Sequence, residues 1–220
     1  MGKTFIKSYT KTNIKEIKIT DFPVVLFSDS HTNTRNIDRL FELYPNSPLI
    51  CLGDITFLFS KPGETYNQKS IDYFIDKKIP CLQGNHDSHV LSCSLGNSLS
   101  FLDAIHTDTD IYDLTQQHIN YLQSLPIGFK LLLPGGDNYL LFHNSPNDLW
   151  GFRDESFKEF AFLKEYPIHD RTVAIIRGHE HRHFVIDFPN IRTKLITIGR
   201  LSKDGDYALL TEKGVEAKKL

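Results

Sequence analysis

Five short apolar runs in this chain each end in Asp, Asn or His, and that arrangement constrains the fold more than any other feature. Val24–Phe27 leads into Asp29-Ser30-His31, and Leu49–Leu52 into Gly53-Asp54. Ile79–Leu82 leads into Gly84-Asn85-His86-Asp87. Tyr139–Phe142 ends in His143, and Val173–Ile176 leads into Gly178-His179-Glu180-His181. Brief apolar runs bounded by turn residues read as buried strands. Between the first three, Ile37, Leu40, Phe41 and Tyr44 recur at helical spacing, as do Ile71, Phe74 and Ile75 within Tyr66–Lys77. Strand–helix–strand–helix–strand implies parallel strands joined by right-handed crossovers. In such sheets the functional site gathers at the C-terminal edge of the strands, where these polar residues fall.

The remaining sequence fills in around this frame. Residues 4–20 read as two short strands turning near Thr12 and Asn13. Residues 88–114 are rich in Ser, Asp and Thr and break the rhythm. A helix is expected over Thr115–Leu125. Strands Phe129–Leu133 and Tyr139–His143 flank Pro134-Gly135-Gly136-Asp137-Asn138 as a hairpin. A helix over Asp154–Lys164 follows the hairpin. Antiparallel strands are then expected at Phe184–Phe188, Lys194–Ile198 and Tyr207–Thr211, with a turn at Asp204-Gly205. Residues 1–220 read as one domain of two sheets with helices outside. Residues 1–22 would be an N-terminal strand extension and residues 88–128 a variable insert or cap.

Composition narrows the function classes. Lys and Arg number 25 and Asp and Glu 27, so the formal charge is 25 − 27 = −2. That argues against a broad basic face and a dedicated nucleic-acid partner. The longest apolar runs are too short to span a bilayer, so no membrane association is expected. The N-terminus lacks the apolar core of a signal peptide, and the three cysteines include no Cys-x-x-Cys pair. A cytoplasmic location is the expectation. Cys51 and Cys81 read as small core residues. Ten histidines against one Met and one Trp are the unusual feature.

Carboxylates, imidazoles and an amide oxygen are mixed oxygen and nitrogen donors. They suit borderline divalent metals rather than a thiolate site or an all-oxygen calcium cage. Each motif alone has a plainer reading. Asp-x-His at a strand–helix turn is often a helix cap, and a single buried His is often a satisfied core residue. The ordered set, each piece after a strand, is far more specific than any member.

This set resembles the calcineurin-like metallophosphoesterase superfamily, whose pattern is D-x-H, GD, GNH[DE], H and GHxH. Leu125-Pro126 and His143-Asn144-Ser145-Pro146 are similar to the small prokaryotic phosphodiesterase-type branch. The resemblance implies a four-layer αββα sandwich of two mixed β-sheets flanked by helices. It implies Asp29, His31 and His181 on one metal, Asn85, His143 and His179 on the other, and Asp54 bridging them. His86 would face the substrate as a catalytic imidazolium, and Asp87 would orient it. Two divalent ions are implied, Mn²⁺ first, with Fe, Zn, Ni or Co as alternatives. In-line attack by a metal-bridging hydroxide would cleave a small phosphodiester, a phosphomonoester or a nucleotide phosphoanhydride. The alternatives are a phosphoprotein phosphatase and a non-catalytic scaffold on the same fold. Asp54-Ile55-Thr56-Phe57 lacks the Asp-Arg-Gly of the Ser/Thr protein phosphatases, and Asp87 stands where they have Glu. Homo-oligomerisation is left open.

Several residues lie outside the pattern. Arg35, Arg182 and Arg200 are candidate phosphate contacts. Arg200 stands where the family often has Ser. Trp150 reads as a packing residue or a lip for a stacked base. His89 and His183 lie near the motifs in sequence, whereas His106, His118 and His169 read as surface or structural residues.

Overall fold

The computed structural model describes residues 13–58, 65–96, 114–145, 168–188 and 192–220. The chain first forms β1 (Ile14–Lys18), β2 (Val24–Phe27), α1 (Thr34–Leu43), β3 (Leu49–Cys51) and α2 (Tyr66–Lys77). Then come α3 (Asn85–Ser94), α4 (Gln116–Ser124) and the hairpin β4 (Gly128–Leu132) with β5 (Asn138–Phe142). The last part holds β6 (Thr172–Arg177), β7 (Phe184–Ile186), β8 (Lys194–Thr197), α5 (Leu201–Asp204), β9 (Asp206–Thr211) and β10 (Gly214–Lys219).

These strands form two sheets, one of six strands in the order β1-β4-β5-β6-β8-β7 and one of four in the order β10-β9-β2-β3. Both are mixed. β2 is parallel to β3 and antiparallel to β9, while β5 is parallel to β6 and antiparallel to β4.

The two-residue period of a strand explains why the central runs are apolar without a break. In β2 all four residues are buried. Val25 and Phe27 pack toward the helices, beside Ile37, Leu40, Ile71, Phe74, Val90 and Leu122. Val24 and Leu26 point the other way, onto Leu131, Leu141, Ile176 and Ile196 of the larger sheet. β3 divides alike, with Leu49 and Cys51 toward the helices and Ile50 toward the other sheet. One apolar run thus serves two cores, so these strands cannot slide without exposing one of them. The far face of the larger sheet carries a third cluster of Leu140, Phe142, Ile175, Phe188 and Leu195.

The helices are set by their ends. Asn33 caps α1 by accepting from the Asn36 N–H. Thr115 caps α4 by accepting from the His118 N–H. His118 also holds Asp72 of α2 at 2.9 Å, so this histidine is structural. No described helix is long and apolar enough to cross a membrane.

Four expectations need correction. Ile79–Leu82 is not a strand but a single parallel bridge, Cys51 to Cys81, because Pro80 has no N–H to donate and only its carbonyl joins the ladder. Residues 88–94 belong to α3 rather than to an irregular stretch. Their three serines disfavour a helix, but burial of Val90, Leu91 and Cys93 overrides that. β7 and β8 pair antiparallel as expected, but β8 also runs parallel to β6, and β9 leaves the run to join the other sheet. β10 follows β9 across a turn and was not anticipated. The helix expected over Asp154–Lys164, Trp150, His106 and the first of the two N-terminal strands lie outside the described residues.

Leu26, fully buried between the sheets, and Leu43, 56% exposed on α1, should separate core from surface. Leu26→Ala is expected to cost about 2–5 kcal/mol in urea unfolding. Leu43→Ala should stay within about 0.5 kcal/mol of the parent.

Candidate metal centre

The turns after β2 and β3 continue the strand ladder past the ends of the strands. Asp29 N–H donates to the Gly53 carbonyl, His31 N–H to that of Asp54 and Thr32 N–H to that of Ile55, each at 3.0 Å. This pairing carries Asp29, His31 and Asp54 side by side out of the sheet. Asp29, His31, Asp54, His179 and His181 all take left-handed backbone, with φ between 41° and 67°. Such conformations cost about 1–3 kcal/mol each for non-glycine residues and persist only where their surroundings over-determine them. Gly84 is required by close approach, since a Cβ there would strike the Asp54 carboxylate and backbone.

These turns bring the side chains together. Asp29 Oδ1 lies 3.1 Å from His181 Nε2 and 3.7 Å from His31 Nε2, and the two imidazole nitrogens are 3.4 Å apart. On the other side, Asn85 Oδ1 lies 2.9 Å from both His143 Nε2 and His179 Nδ1. Asp54 stands between, its Oδ2 3.3 Å from His143 Nε2 and its Oδ1 accepting from the His86 N–H at 2.9 Å. Donor atoms of Asp29, Asp54 and His143 all fall within 4.8 Å of one another, as do those of Asp29, His31 and His181. His143 Nδ1 donates to the Leu52 carbonyl at 2.9 Å, and His31 Nδ1 to that of Thr56 at 3.2 Å. That leaves both Nε2 lone pairs aimed inward, the usual orientation of a metal-binding histidine. Carboxylate oxygens, an amide oxygen and imidazole lone pairs converging in a buried space fit divalent cations.

The carboxylates and imidazoles of the cluster shift one another's protonation, and a metal ion at His143 Nε2 would displace a proton held there. Burial alone would raise the Asp29 pKa, but the His181 hydrogen bond and neighbouring imidazoles hold it well below the carboxylate range. Asp54 is likewise lowered to about 2 against its burial, chiefly by His143 and His86. Burial alone would also lower His143, yet Asp54 and Asp29 hold it up at about 9. Burial dominates at His179, which falls to about 4.

His86 opens α3 beside this cluster. Its Nδ1 accepts from the Leu58 N–H at 3.2 Å, and its Nε2 stands 4.0 Å from Asp54 Oδ2. The Phe57 ring stacks on it with 7° between planes and 5.8 Å between centroids. Asn67 fixes the Phe57 backbone, accepting from its N–H at 2.8 Å and donating to its carbonyl at 3.1 Å. Phe57, Leu58 and Asn67 were missed by sequence reasoning. Only the position of Phe57, three residues past Asp54, offered a signal.

The Asp87 carboxylate turns to backbone N–H groups rather than to the His86 ring. Its Oδ2 accepts from Asp54 and Gly84 N–H groups, both at 2.9 Å. Its Oδ1 accepts from Ile55 N–H at 3.1 Å, Thr56 N–H at 3.0 Å and the Thr56 hydroxyl at 2.9 Å. Gly84 is the N-cap of α3, and Asp87 sits at N3, where a carboxylate turns back onto the helix start.

Of the candidate arginines, Arg200 touches the cluster, with Nη1 3.4 Å from His181 Nδ1 and its fork held by Asp204 at 3.1 and 2.9 Å. Arg35 and Arg182 are exposed. His89 is buried within α3, its Nε2 3.4 Å from Cys93 Sγ, and His169 and His183 are exposed.

A family model described as calcineurin-like phosphoesterase matches residues 22–183. No curated protein matches the sequence. Among solved structures, a metallophosphoesterase from Sphaerobacter thermophilus is similar at 17% identity and a TM-score of 0.62, covering 90% of this chain and 88% of that one. The hypothetical protein PH1004 from Pyrococcus horikoshii OT3 aligns at 13% identity and a TM-score of 0.65, over 90% of this chain and 87% of that one. An archaeal phosphodiesterase aligns at 14% identity and a TM-score of 0.50, over 90% of this chain and all (100%) of that one. At these identities the likeness speaks to the fold.

Asp87→Ala would leave four buried backbone N–H groups without their acceptor. It is expected to cost about 3 kcal/mol or more in denaturant unfolding. A variant of unchanged stability but reduced turnover would return Asp87 to the role of orienting His86.

Proposed function

The chain belongs to the calcineurin-like phosphoesterase family and is a metal-dependent phosphoric ester hydrolase; from that premise we propose a dinuclear enzyme acting on small phosphodiesters, phosphomonoesters or nucleotide phosphoanhydrides. The carrying observation is the convergence of two donor groups on Asp54. Asp29, His31 and His181 would hold one ion, Asn85, His143 and His179 the other, with Asp54 shared between them. When bound, such ions supply charge neutralisation for a phosphate and activation of water. Mn²⁺ is the first ion to test.

The chain's own residues supply the rest. Because the Leu58 N–H occupies His86 Nδ1, the ring carries its proton on Nε2, the nitrogen nearer Asp54. Protonating the ring further would break that bond, and burial lowers the His86 pKa to about 4. His86 is therefore a neutral donor aimed at a phosphoryl oxygen, stabilising charge as it develops, rather than the imidazolium first expected. Phe57 stacks on the ring and limits its rotation. Arg200, beside His181, is the arginine best placed to meet the substrate's remaining negative charge. A small substrate is favoured over a phosphoprotein by the absence of the Asp-Arg-Gly signature after Asp54. A reducing, cytoplasmic setting fits the buried free thiols of Cys51, Cys81 and Cys93.

With Mn²⁺ added, aryl phosphodiesters and dinucleoside polyphosphates should be hydrolysed. Turnover of phosphopeptides alone would support a protein phosphatase. No turnover of any phosphate ester by folded, metal-loaded protein would support a scaffold. His86→Ala should lower turnover about 100- to 1,000-fold while metal content by mass spectrometry stays at the parent level. Parent-level turnover would remove His86 from the reaction. In contrast, Asp54→Asn should lose metal, and retention of two ions would remove Asp54 as the shared ligand.

A further inference from the structure

Beneath the cluster lies a buried charged pair that the proposed reaction does not use. Arg177, the last residue of β6, is 5% exposed, and Glu180 is 4% exposed. Arg177 Nη2 donates to Glu180 Oε1 at 3.1 Å, and Nη1 donates to Asn144 Oδ1 at 2.8 Å. Its Nε reaches the Thr197 hydroxyl on β8 at 3.4 Å. One guanidinium therefore ties the turn after β6 to the turn after β5 and to the neighbouring strand. The Gly178 N–H, donating to the His143 carbonyl at 3.1 Å, makes the same connection through the backbone.

Three of the donor residues ride on these two turns. Glu180 sits between His179 and His181, and Asn144 directly follows His143. His179 and His181 turn toward Asn85 and Asp29, while Glu180 turns away onto Arg177. Both flanking histidines are in left-handed backbone, φ 67° and 57°, so something must hold the turn in that shape. Burying two charges is costly, and a well-packed apolar pair would serve the core as well. What a fork of fixed N–H directions adds is geometry. His143 Nε2 and His179 Nδ1 both approach Asn85 Oδ1 at 2.9 Å, so a shift of either turn alters their common meeting point.

We propose that Arg177, Glu180 and Asn144 are positioning residues that set the spacing of His143 and His179, and with it the affinity for the ion shared by Asn85, His143 and His179. This rests on the two-ion reading above. The test is titration of Mn²⁺ into chelator-treated full-length chain by calorimetry, well below the melting temperature, for the parent, Glu180→Gln and Asn144→Ala. Each variant should bind one ion about 10- to 100-fold more weakly and the other as the parent does. A tie that merely stabilises the fold would lower the melting temperature and leave both affinities unchanged; that result overturns the proposal. If loss of the Glu180 charge leaves no folded protein, the double variant Arg177→Met with Glu180→Met removes both charges together and answers the same question. A parent protein that never takes up a second ion overturns the two-ion reading, and this proposal with it. Parent uptake of two ions with unchanged variants overturns the positioning role alone.

Discussion

The site depends first on the carboxylate of Asp87, buried where the turn after β3 meets the start of α3. It gathers N–H groups of Asp54, Ile55, Thr56 and Gly84, from two stretches 30 residues apart in sequence (Asp54 to Gly84). Asp54, Asn85 and His86 take their places from this knot, and Thr56 in turn accepts from His31 through its carbonyl. An unpaired buried carboxylate would be costly, but five hydrogen bonds satisfy this one. The group looks catalytic in a motif and acts as a joint.

The rest of the site is a set of strained turns held from outside. Left-handed backbone at Asp29, His31, Asp54, His179 and His181 throws their side chains inward from neighbouring strands. The Asp29–Gly53 and His31–Asp54 backbone pairs hold one side, and the Arg177–Glu180 pair braces the other. Below them, β2 and β3 are locked between two apolar cores, so the strand ends do not slip. Precision at the edge comes from a rigid base with short, tightly bonded turns above it.

Much of this was legible in the residues. Unbroken apolar runs such as Val24–Phe27 mark strands covered on both faces, and β2 begins and ends where the run does. Tyr66–Lys77 carries a clean helical period and forms α2 over that span. The donor residues stand at strand ends because those are the positions where polar groups escape a two-sided core. The misreadings arose where local pattern was outweighed. Asn85–Ser94 contains poor helix formers and folds as α3 because Val90, Leu91 and Cys93 find a core. Pro80 sits within a run that reads as a strand and reduces it to one bridge. Direction of pairing, as for β8 beside β6, is a property of the sheet and leaves no local mark.

By itself the sequence determined the kinds of atom available and the order of their arrival. Two carboxylates and four imidazoles come at the ends of buried strands and an amide follows a further apolar run, which is enough to imply a divalent metal site and phosphate chemistry. Tertiary structure alone decided what each neighbour does. Asp87 and His86 are adjacent in the chain, yet the carboxylate turns into the β3 loop, and Leu58 supplies the hydrogen bond that sets the His86 proton. Glu180 lies between two inward histidines and points away from both, onto an arginine. The reason is physical: side-chain type is local, but a hydrogen bond depends on distance and direction, and these exist only once separate stretches of chain have packed together.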